Sequence, residues 1–312
     1  MKAVIALSGL AGVVLFGPPL VRALSHDHHH VTVTVHDVSH EVSHAVSHAV
    51  HSGDQSQCRY EAERSFQVGV GSGVDLQLFA GSGDLEVVGV EGLSEVRAVA
   101  RACASHEEYL EELQLSHEES GSTLTVETLY PEFSGRWNGG QRYARLDLRL
   151  EVPWGMDAKI EDGSGEASLW DLGTLDIRDG SGELAIGNIM GALSVEDGSG
   201  EIQIQGVEGS VTIEDGSGEI ALRSVGGDVE IDDGSGEIDI ANVMGSVFLT
   251  DSSGEIDVQD VAVDVTVRRD SSGSIEVSDV GGDFTVHRDG GGGIRHSNVA
   301  GTVDIPKRRG DR

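Results

Sequence analysis

This sequence of 312 residues is short of positive charge, since 21 lysines and arginines stand against 54 aspartates and glutamates, for a formal net charge of -33. A chain this acidic repels polyanions, which argues against nucleic acid as a partner and against direct adsorption to anionic lipid. Low hydrophobicity combined with a large net charge is also typical of disorder. Here the apolar residues recur at fixed intervals, and that regularity favours an ordered structure.

Aromatic residues (4%) and prolines (5) are few, and the C-terminal half has no segment with the apolar spacing of a helix. It contains instead one sequence unit that is repeated eight times. The copies open 17 to 19 residues apart, at Asp162, Asp179, Asp197, Asp215, Asp233, Asp251, Asp270 and Asp289. A fixed period of this length indicates stacked supersecondary units.

Within each unit apolar and polar residues alternate, as in Ile220-x-Leu222 and Val229-x-Ile231, so each unit contains two short strands with one face inward. The Asp-Gly-Ser-Gly sequence and a Val-x-Gly corner supply the glycines that turns with positive φ need. We therefore predict an all-β fold, a single-stranded, β-helix-like solenoid of about eight 18-residue rungs. One rung buries too few aliphatic side chains to fold alone, so stability belongs to the array.

Long loops are also lacking, because the repeat length varies so little. Solenoid enzymes that cleave polysaccharides usually build a cleft from loops that leave the coils, and this chain has no room for such loops. Carboxylates are abundant, but they repeat identically and none is singled out by a neighbouring base. The sequence therefore predicts a non-enzymatic protein without catalytic residues.

Residues 1–25 have the pattern of a secretory signal peptide, with Lys2 followed by an apolar core at 3–16. The alternative is an uncleaved membrane anchor, but Pro18 and Pro19 interrupt the apolar stretch. No cysteine follows the core, which argues against a lipid anchor. We predict export to the periplasm or the cell surface, with no integral membrane domain after cleavage.

Residues 26–53 are a low-complexity segment that holds nine of the thirteen histidines. Four of these recur at every fourth position: His36, His40, His44 and His48. On a helix this spacing aligns imidazoles along one face, which suits Zn²⁺, Ni²⁺ or Cu²⁺. The same composition is typical of a linker, and both interpretations stay open.

Residues 54–160 are β-rich but irregular, and we predict that they cap the first rung, whose strand edges would otherwise be unpaired. Residues 81–92 are a degenerate copy of the repeat. A capping box, Ser105-His-Glu-Glu108, predicts one short helix near 106–113. A hairpin over 113–126 and a long strand that ends near 153 complete this region.

The regular solenoid is predicted to span 161–306. At its far end His296 replaces an inward aliphatic residue, and a basic tail at 307–312 stops the ladder. The two cysteines, Cys58 and Cys103, both fall in the cap. In an exported chain they are expected to form a disulfide, worth roughly 4 kcal/mol for a loop of about 46 residues. Two buried free thiols are the alternative.

Rungs stacked in register place identical residues in columns. Two such columns are acidic: Asp197, Asp215, Asp233 and Asp251 in one, and Glu201, Glu219, Glu237 and Glu255 in the other. Neighbouring charges about 4.8 Å apart repel by about 0.9 kcal/mol in water, which raises the folded-state pKa. The aspartates are expected mainly to accept turn N–H groups, with weak Ca²⁺ binding as a by-product.

The order of segments resembles the bacterial putative-adhesin family of β-solenoid domains. The resemblance rests on an exported start, the strand Gly81-Ser-Gly-Asp-Leu-Glu-Val87, an inserted helix and hairpin, Leu148-Arg-Leu-Glu-Val-Pro-Trp-Gly-Met-Asp157, and then the Asp-Gly-Ser-Gly-Glu rungs. It covers roughly residues 60–305. It implies a non-enzymatic envelope protein and brings no catalytic or binding residues with it.

Two functional interpretations follow. The first is a structural or adhesive envelope solenoid whose long faces contact an envelope or surface partner, or another copy of the chain. The alternative is an envelope metal-binding protein that uses the histidine segment and the acidic columns. Neither requires a cofactor for folding.

Overall fold

The structure, a computed structural model, describes residues 58–132 and 142–306, together with the backbone of residues 21–26 and 30–35. The two short ranges form an antiparallel hairpin, β1 (Val21–His26) and β2 (His30–Val35). Most of the predicted signal peptide, most of the histidine segment and the basic tail lie outside the described residues. Their interpretation therefore stays a prediction.

The cap is the irregular region that precedes the coils. Its elements are β3 (Tyr60–Gly69), β4 (Asp75–Phe79), β5 (Leu85–Val90), β6 (Glu95–Ala104), α1 (Glu107–Glu112), β7 (Gln114–Ser120), β8 (Thr123–Leu129) and β9 (Ala144–Pro153). Strands β3, β6 and β9 pair antiparallel with one another, and β7 pairs antiparallel with β8. Strands β4 and β5 pair parallel with the first regular coil, which confirms the degenerate copy of the repeat.

Eight coils follow, and each contributes one strand to each of two parallel sheets. The first sheet receives β11 (Ala167–Trp170), β13 (Gly182–Ile189), β15 (Gly200–Val207), β17 (Ile220–Val225), β19 (Ile238–Val243), β21 (Ile256–Val261), β23 (Ile275–Val280) and β25 (Ile294–Val299). The second begins with β10 (Ala158–Asp162), which leads into the first turn, and then receives β12 (Leu175–Asp179), β14 (Leu193–Asp197), β16 (Val211–Asp215), β18 (Val229–Asp233), β20 (Val247–Asp251), β22 (Val265–Arg269), β24 (Phe284–Val286) and β26 (Val303–Asp304). The predicted β-solenoid is confirmed.

The core lies between the two sheets. In the coil that opens at Asp215, the inward side chains are all at most 1% exposed: Ile220, Leu222, Val225, Val229 and Ile231. Each packs on its counterpart one coil away, as the register Ile220↔Ile238 shows. One continuous hydrophobic cluster runs from Ala62 in the cap to Val286 in the last coils. Cap and coils therefore bury a common core.

The second glycine of each Asp-Gly-Ser-Gly turn forms a column, and it is needed there for two reasons. Its φ angle lies between +113° and +154° in the eight coils. A Cβ added at these positions would lie 1.4 to 2.1 Å from the carbonyl oxygen of the glycine one coil earlier. Only glycine meets both conditions, because a side chain would push neighbouring coils apart.

The Val-x-Gly corner differs from the prediction. Its glycines do not have a left-handed backbone conformation. They are needed because a Cβ atom there would clash with the previous coil. At Gly227, for example, an added Cβ would lie 2.6 Å from the backbone nitrogen of Ser210. The left-handed residue is the one that precedes the valine. It has φ between 53° and 78° in all eight coils: Asp171, Asn188, Gly206, Ser224, Asn242, Asp260, Asp279 and Asn298. Asparagine and aspartate tolerate this conformation better than other side chains.

The predicted helix is present as α1, but its predicted capping box is wrong. The N-cap residue is His106, and no side chain caps the helix. Ser105 is buried at the end of β6, where its Oγ accepts a hydrogen bond from the Tyr143 N–H at 3.2 Å. The hydroxyl therefore ties the helix start to the beginning of β9. The predicted hairpin is confirmed as β7 and β8.

The two ends of the stack differ. At the start, the cap strands β4 and β5 pair parallel with the first coil, so its strand edges are covered. At the far end, His296 takes the register position of Val277 and is exposed, and Ile294, Val299 and Val303 are only partly buried. Among the described residues, no helix has the length and apolar character needed to cross a membrane.

Candidate functional site

The most unusual chemical feature of the described solenoid is a row of inward-facing carboxyl groups. We call it the aspartate column, and it comprises Asp162, Asp179, Asp197, Asp215, Asp233, Asp251 and Asp270. These side chains are 0 to 8% exposed. They continue the inward alternation of their strands, as in Val211, Ile213 and Asp215 of β16.

Coil stacking places these carboxyls next to one another. Asp197 pairs in register with Asp215, Asp215 with Asp233, and Asp233 with Asp251. The predicted aspartate column is therefore present, and it extends beyond the four residues predicted for it. Its side chains are buried at the edge of the core next to the turns, and the sequence did not predict this burial.

In the last four aspartates of the column, one carboxylate oxygen accepts a hydrogen bond from a backbone N–H of the turn. Oδ1 of Asp215, Asp233, Asp251 and Asp270 accepts the backbone N–H two residues on, at 3.2, 3.1, 2.9 and 3.0 Å. This is the Asx-turn geometry expected for aspartate in a tight turn. Three of the four aspartates predicted to form turns, Asp215, Asp233 and Asp251, make this hydrogen bond, and Asp197 does not.

The other oxygens have no hydrogen-bond partner among the described residues. Oδ2 of Asp215, Asp233, Asp251 and Asp270 is buried and unpaired, and both oxygens are unpaired at Asp162, Asp179 and Asp197. A buried ionised carboxylate without a partner is costly, whereas a protonated carboxyl carries no net charge to bury. The column is therefore built to hold protons.

Burial is the main cause of a raised pKa along the whole column. It raises the pKa of Asp162 to about 7, and that of Asp179, Asp233 and Asp251 to about 6. The charge of the next aspartate is the second cause at Asp179 and Asp233, and it raises the pKa further. The turn N–H groups oppose the shift without cancelling it.

The glutamate column differs in exposure. Glu219, Glu237 and Glu255 are exposed beside the turn, and Glu201 is partly exposed. Their backbone carbonyls carry the coil-to-coil ladder, as in the 2.8 Å hydrogen bond from Ile220 N to Glu237 O. Within residues 58–132 and 142–306, no group of three or more His, Cys, Asp or Glu side chains is arranged to hold a metal ion. Weak Ca²⁺ binding at the acidic columns stays a prediction.

The outer faces of the coils are polar and carry ion pairs between neighbouring coils. Arg178 bridges to Glu196 at 2.8 Å, Arg295 to Glu276 at 2.8 Å, and Lys159 to Asp176 at 3.2 Å. Exposed pairs of this kind contribute little stability each. They do fix the coil faces as long, flat, charged surfaces.

Two further sets of side-chain hydrogen bonds between coils were not predicted from the sequence. At one corner, the Oδ1 of Asp157, Asp228, Asp264 and Asp283 accepts a backbone N–H one coil later, at 2.6 to 2.8 Å. At the left-handed corner, the Nδ2 of Asn188 donates to Asp171 Oδ1 at 3.1 Å. The recurrence of Asp directly before the first inward residue of the strand, at Asp157, Asp228, Asp264 and Asp283, was the available signal. These side chains bond one coil to the next.

The predicted disulfide is present, with Cys58 and Cys103 joined and their Cα atoms 5.6 Å apart. Both residues are 3% exposed. The bond fastens the start of β3 to the end of β6, and so closes the cap. The predicted metal ligands His36, His40, His44 and His48 lie outside the described residues.

These features define a class of protein: a β-solenoid with two parallel sheets, a disulfide-closed cap and a core edged by carboxyl groups. The family model for Toastrack DUF4097 matches residues 104–311. The chain belongs to this family. No curated protein sequence is significantly similar to it.

Several solved structures are similar to this chain at low sequence identity. A putative lipid binding protein from Parabacteroides distasonis is 16% identical, covers 78% of this chain and 97% of its own, and has a TM-score of 0.44. A putative adhesin from Parabacteroides merdae is 9% identical, with 78% and 96% covered and a TM-score of 0.38. A putative cell adhesion protein from Clostridium sporogenes is 18% identical, with 75% and 99% covered and a TM-score of 0.30.

Proposed function

We propose that the protein is an exported, non-enzymatic solenoid of the cell envelope that acts as a structural or adhesive element. The observation that carries this proposal is the continuous stack of eight coils, which is in register except for one inserted residue after Val267. It presents two flat outer faces, each about 38 Å long at about 4.8 Å per coil. Contacts repeated along such faces add up, so a weak contact per coil gives useful binding overall.

The chemistry of the coils supports a binding role and not a catalytic one. Turns between strands are short and of nearly constant length, so no loop rises from the described coils to shape a cleft. The most perturbed carboxyls, those of the aspartate column, face the core and cannot reach a substrate. The polar outer faces carry mostly negative charge, and such faces are suited to contact with a complementary polar surface.

Export is tested by the N-terminus of the mature chain. The full sequence is expressed with a C-terminal tag in a bacterial host, cells are fractionated, and the protein is analysed by mass spectrometry. We expect a chain that begins near residue 26 in the envelope or secreted fraction. An intact Met1 in the cytosolic fraction would show that the segment is not a signal peptide.

Adhesion is tested with a shortened solenoid. Deleting residues 197–232 removes two complete coils and joins Glu196 to Asp233, so that the repeat continues in register. Beads coated with the mature protein should adhere to layers of the producing bacterium, and beads with the deletion variant should adhere several-fold less. Absence of adhesion by the wild-type chain, or equal adhesion by both, would contradict the adhesive role.

The alternative function is metal binding in the envelope through His36, His40, His44 and His48. The sequence supports it by the four-residue spacing of the imidazoles. Equilibrium dialysis against Zn²⁺, Ni²⁺, Cu²⁺ and Ca²⁺ separates it from the leading proposal. Micromolar binding of one of these metals supports the alternative.

A further inference from the structure

The last two complete coils contain an extra residue, and it changes one edge of the solenoid. Between β20 and β22 the register is Leu249↔Val267 and then Thr250↔Arg269, so one residue is inserted after Val267. The next coil keeps the insertion, since Val267 pairs with Val286 and Asp270 with Asp289. Such bulges re-aim side chains and are frequent near functional sites.

The insertion stacks two arginines, Arg269 and Arg288, on consecutive coils. Both are exposed, and neither forms an ion pair or a side-chain hydrogen bond with the described residues. Every other arginine of the described coils is paired: Arg178, Arg223, Arg268 and Arg295. The backbones of the two arginines lie about one coil spacing apart, and two like charges carried on neighbouring coils favour an anion beside them.

The charge of the chain changes at the same place. Residues 161–260 contain 24 aspartates and glutamates against 2 lysines and arginines, whereas residues 261–306 contain 7 against 4. The end of the solenoid that carries the bulge is therefore much less acidic than the coils before it. An anion that the other coils repel is tolerated here.

The arginines line an open groove together with Asp270, Ser271, His287, Asp289, Gly290 and Pro306. Its two carboxyls do not neutralise the arginines. Asp270 is 2% exposed and turned into the core, and Asp289 Oδ1 accepts the Gly291 N–H at 2.9 Å. The groove thus combines two free guanidinium groups with the hydroxyl, imidazole and carboxylate groups that bind sugar hydroxyls.

We propose that this groove, formed by Arg269, Arg288, His287 and Ser271, binds the carboxylate of a uronic acid in an extracellular polysaccharide. Guanidinium groups bind planar carboxylates through paired hydrogen bonds. A singly charged carboxylate is favoured over a dianionic phosphate because the carboxylate of Asp289 lies beside the site. The inference deepens the proposed adhesive function by assigning its ligand class.

Calorimetric titration of the mature protein tests the groove, with trigalacturonate, the uncharged galactose trimer and inorganic phosphate as probes. We expect trigalacturonate to bind, at least tenfold more tightly than phosphate, and the uncharged trimer not to bind. The variant Arg269→Gln with Arg288→Gln should lose at least tenfold in affinity. The matched variant Arg268→Gln, which removes an equally exposed arginine paired with Glu230, should stay within twofold.

Wild-type protein that does not bind trigalacturonate, or a double variant that binds it as well as wild type, overturns the proposal. Tighter binding of phosphate overturns the carboxylate assignment. The bead assay separates this inference from the proposed function. If the double variant still adheres, the proposed role of the groove in adhesion is wrong and the adhesive function stands. If wild-type protein binds trigalacturonate but does not adhere, the adhesive function is wrong and the groove remains a binding site.

Discussion

Single residues decide how closely the coils approach, and the second glycine of each turn sets the limit. At Gly218 the φ angle is +151°, and a Cβ would lie 1.6 Å from the Gly200 carbonyl oxygen. The obstacle is backbone, which cannot move without breaking the ladder on both sides. The glycine column is therefore a packing requirement of the parallel stack.

We predict that Gly218→Ala lowers the free energy of unfolding by at least about 3 kcal/mol, because backbone strain and a steric clash act together. Chemical denaturation followed by circular dichroism measures the change. Gly291→Ala is the control, since it lies in the corresponding turn of the last coil with no atom within 4 Å of the added Cβ. A stability within about 1 kcal/mol of wild type is expected there. A mild effect at Gly218 would show that the coils separate easily.

The disulfide between the two cysteines stabilises the cap. Replacing both by serine, Cys58→Ser with Cys103→Ser, should lower the unfolding free energy by about 4 kcal/mol at most, because a loop of 45 residues is no longer closed. Thiol labelling of unreduced, denatured wild-type protein should detect no free thiol. Two reactive thiols in that experiment would contradict the disulfide.

At the scale of elements, the aspartate column couples the stack to protons. The folded-state pKa of Asp233 and Asp251 is about 6 and that of Asp162 about 7, whereas an unfolded aspartate titrates near 3.9. The folded state therefore binds more protons than the unfolded state between about pH 4 and pH 7. Linkage then requires stability to fall as pH rises through this window.

We predict that Asp233→Asn raises the unfolding free energy at pH 8 by about 2 kcal/mol and changes it little at pH 4. Asparagine keeps the oxygen that accepts the Ser235 N–H and carries no charge to bury. Thermal melts between pH 4 and pH 8 measure the effect. The control is Asp232→Asn, which changes an exposed neighbour on the outer face of β18. The difference in melting temperature between this variant and wild type should depend much less on pH. Equal effects of both variants would mean that general surface repulsion, and not burial, governs the pH response.

At the scale of the whole molecule, stability is expected to be independent of the histidine segment. Deleting residues 26–52 should abolish micromolar Zn²⁺ or Ni²⁺ binding and leave the melting temperature of the solenoid nearly unchanged, because one continuous core already joins cap and coils. Dialysis and thermal melts of the two forms measure both effects. Undiminished metal binding by the shortened chain would reduce the segment to a linker, and a large loss of stability would show that it packs on the core.

The sequence alone determined the coil type, the number of coils, the inward aliphatic positions and the disulfide partners. The coil features follow from local alternation and from a repeat that copies itself, so that one correctly interpreted unit fixes the others. The disulfide partners follow from the presence of only two cysteines. The helix α1 and the hairpin β7–β8 were also predictable, since their signals lie within a few neighbouring residues.

Tertiary structure decided the features that depend on the neighbouring coil. The aspartate column faces inward because the strand alternation extends through its last residue, and its pKa values depend on burial by coils 17 to 19 residues away. The hydroxyl of Ser105 binds the Tyr143 N–H, which lies 38 residues further along the chain, and so does not cap the helix. The unpaired Arg269 and Arg288 become one site only through stacking. In each case the deciding contact is between coils or strands, and no local pattern specifies it.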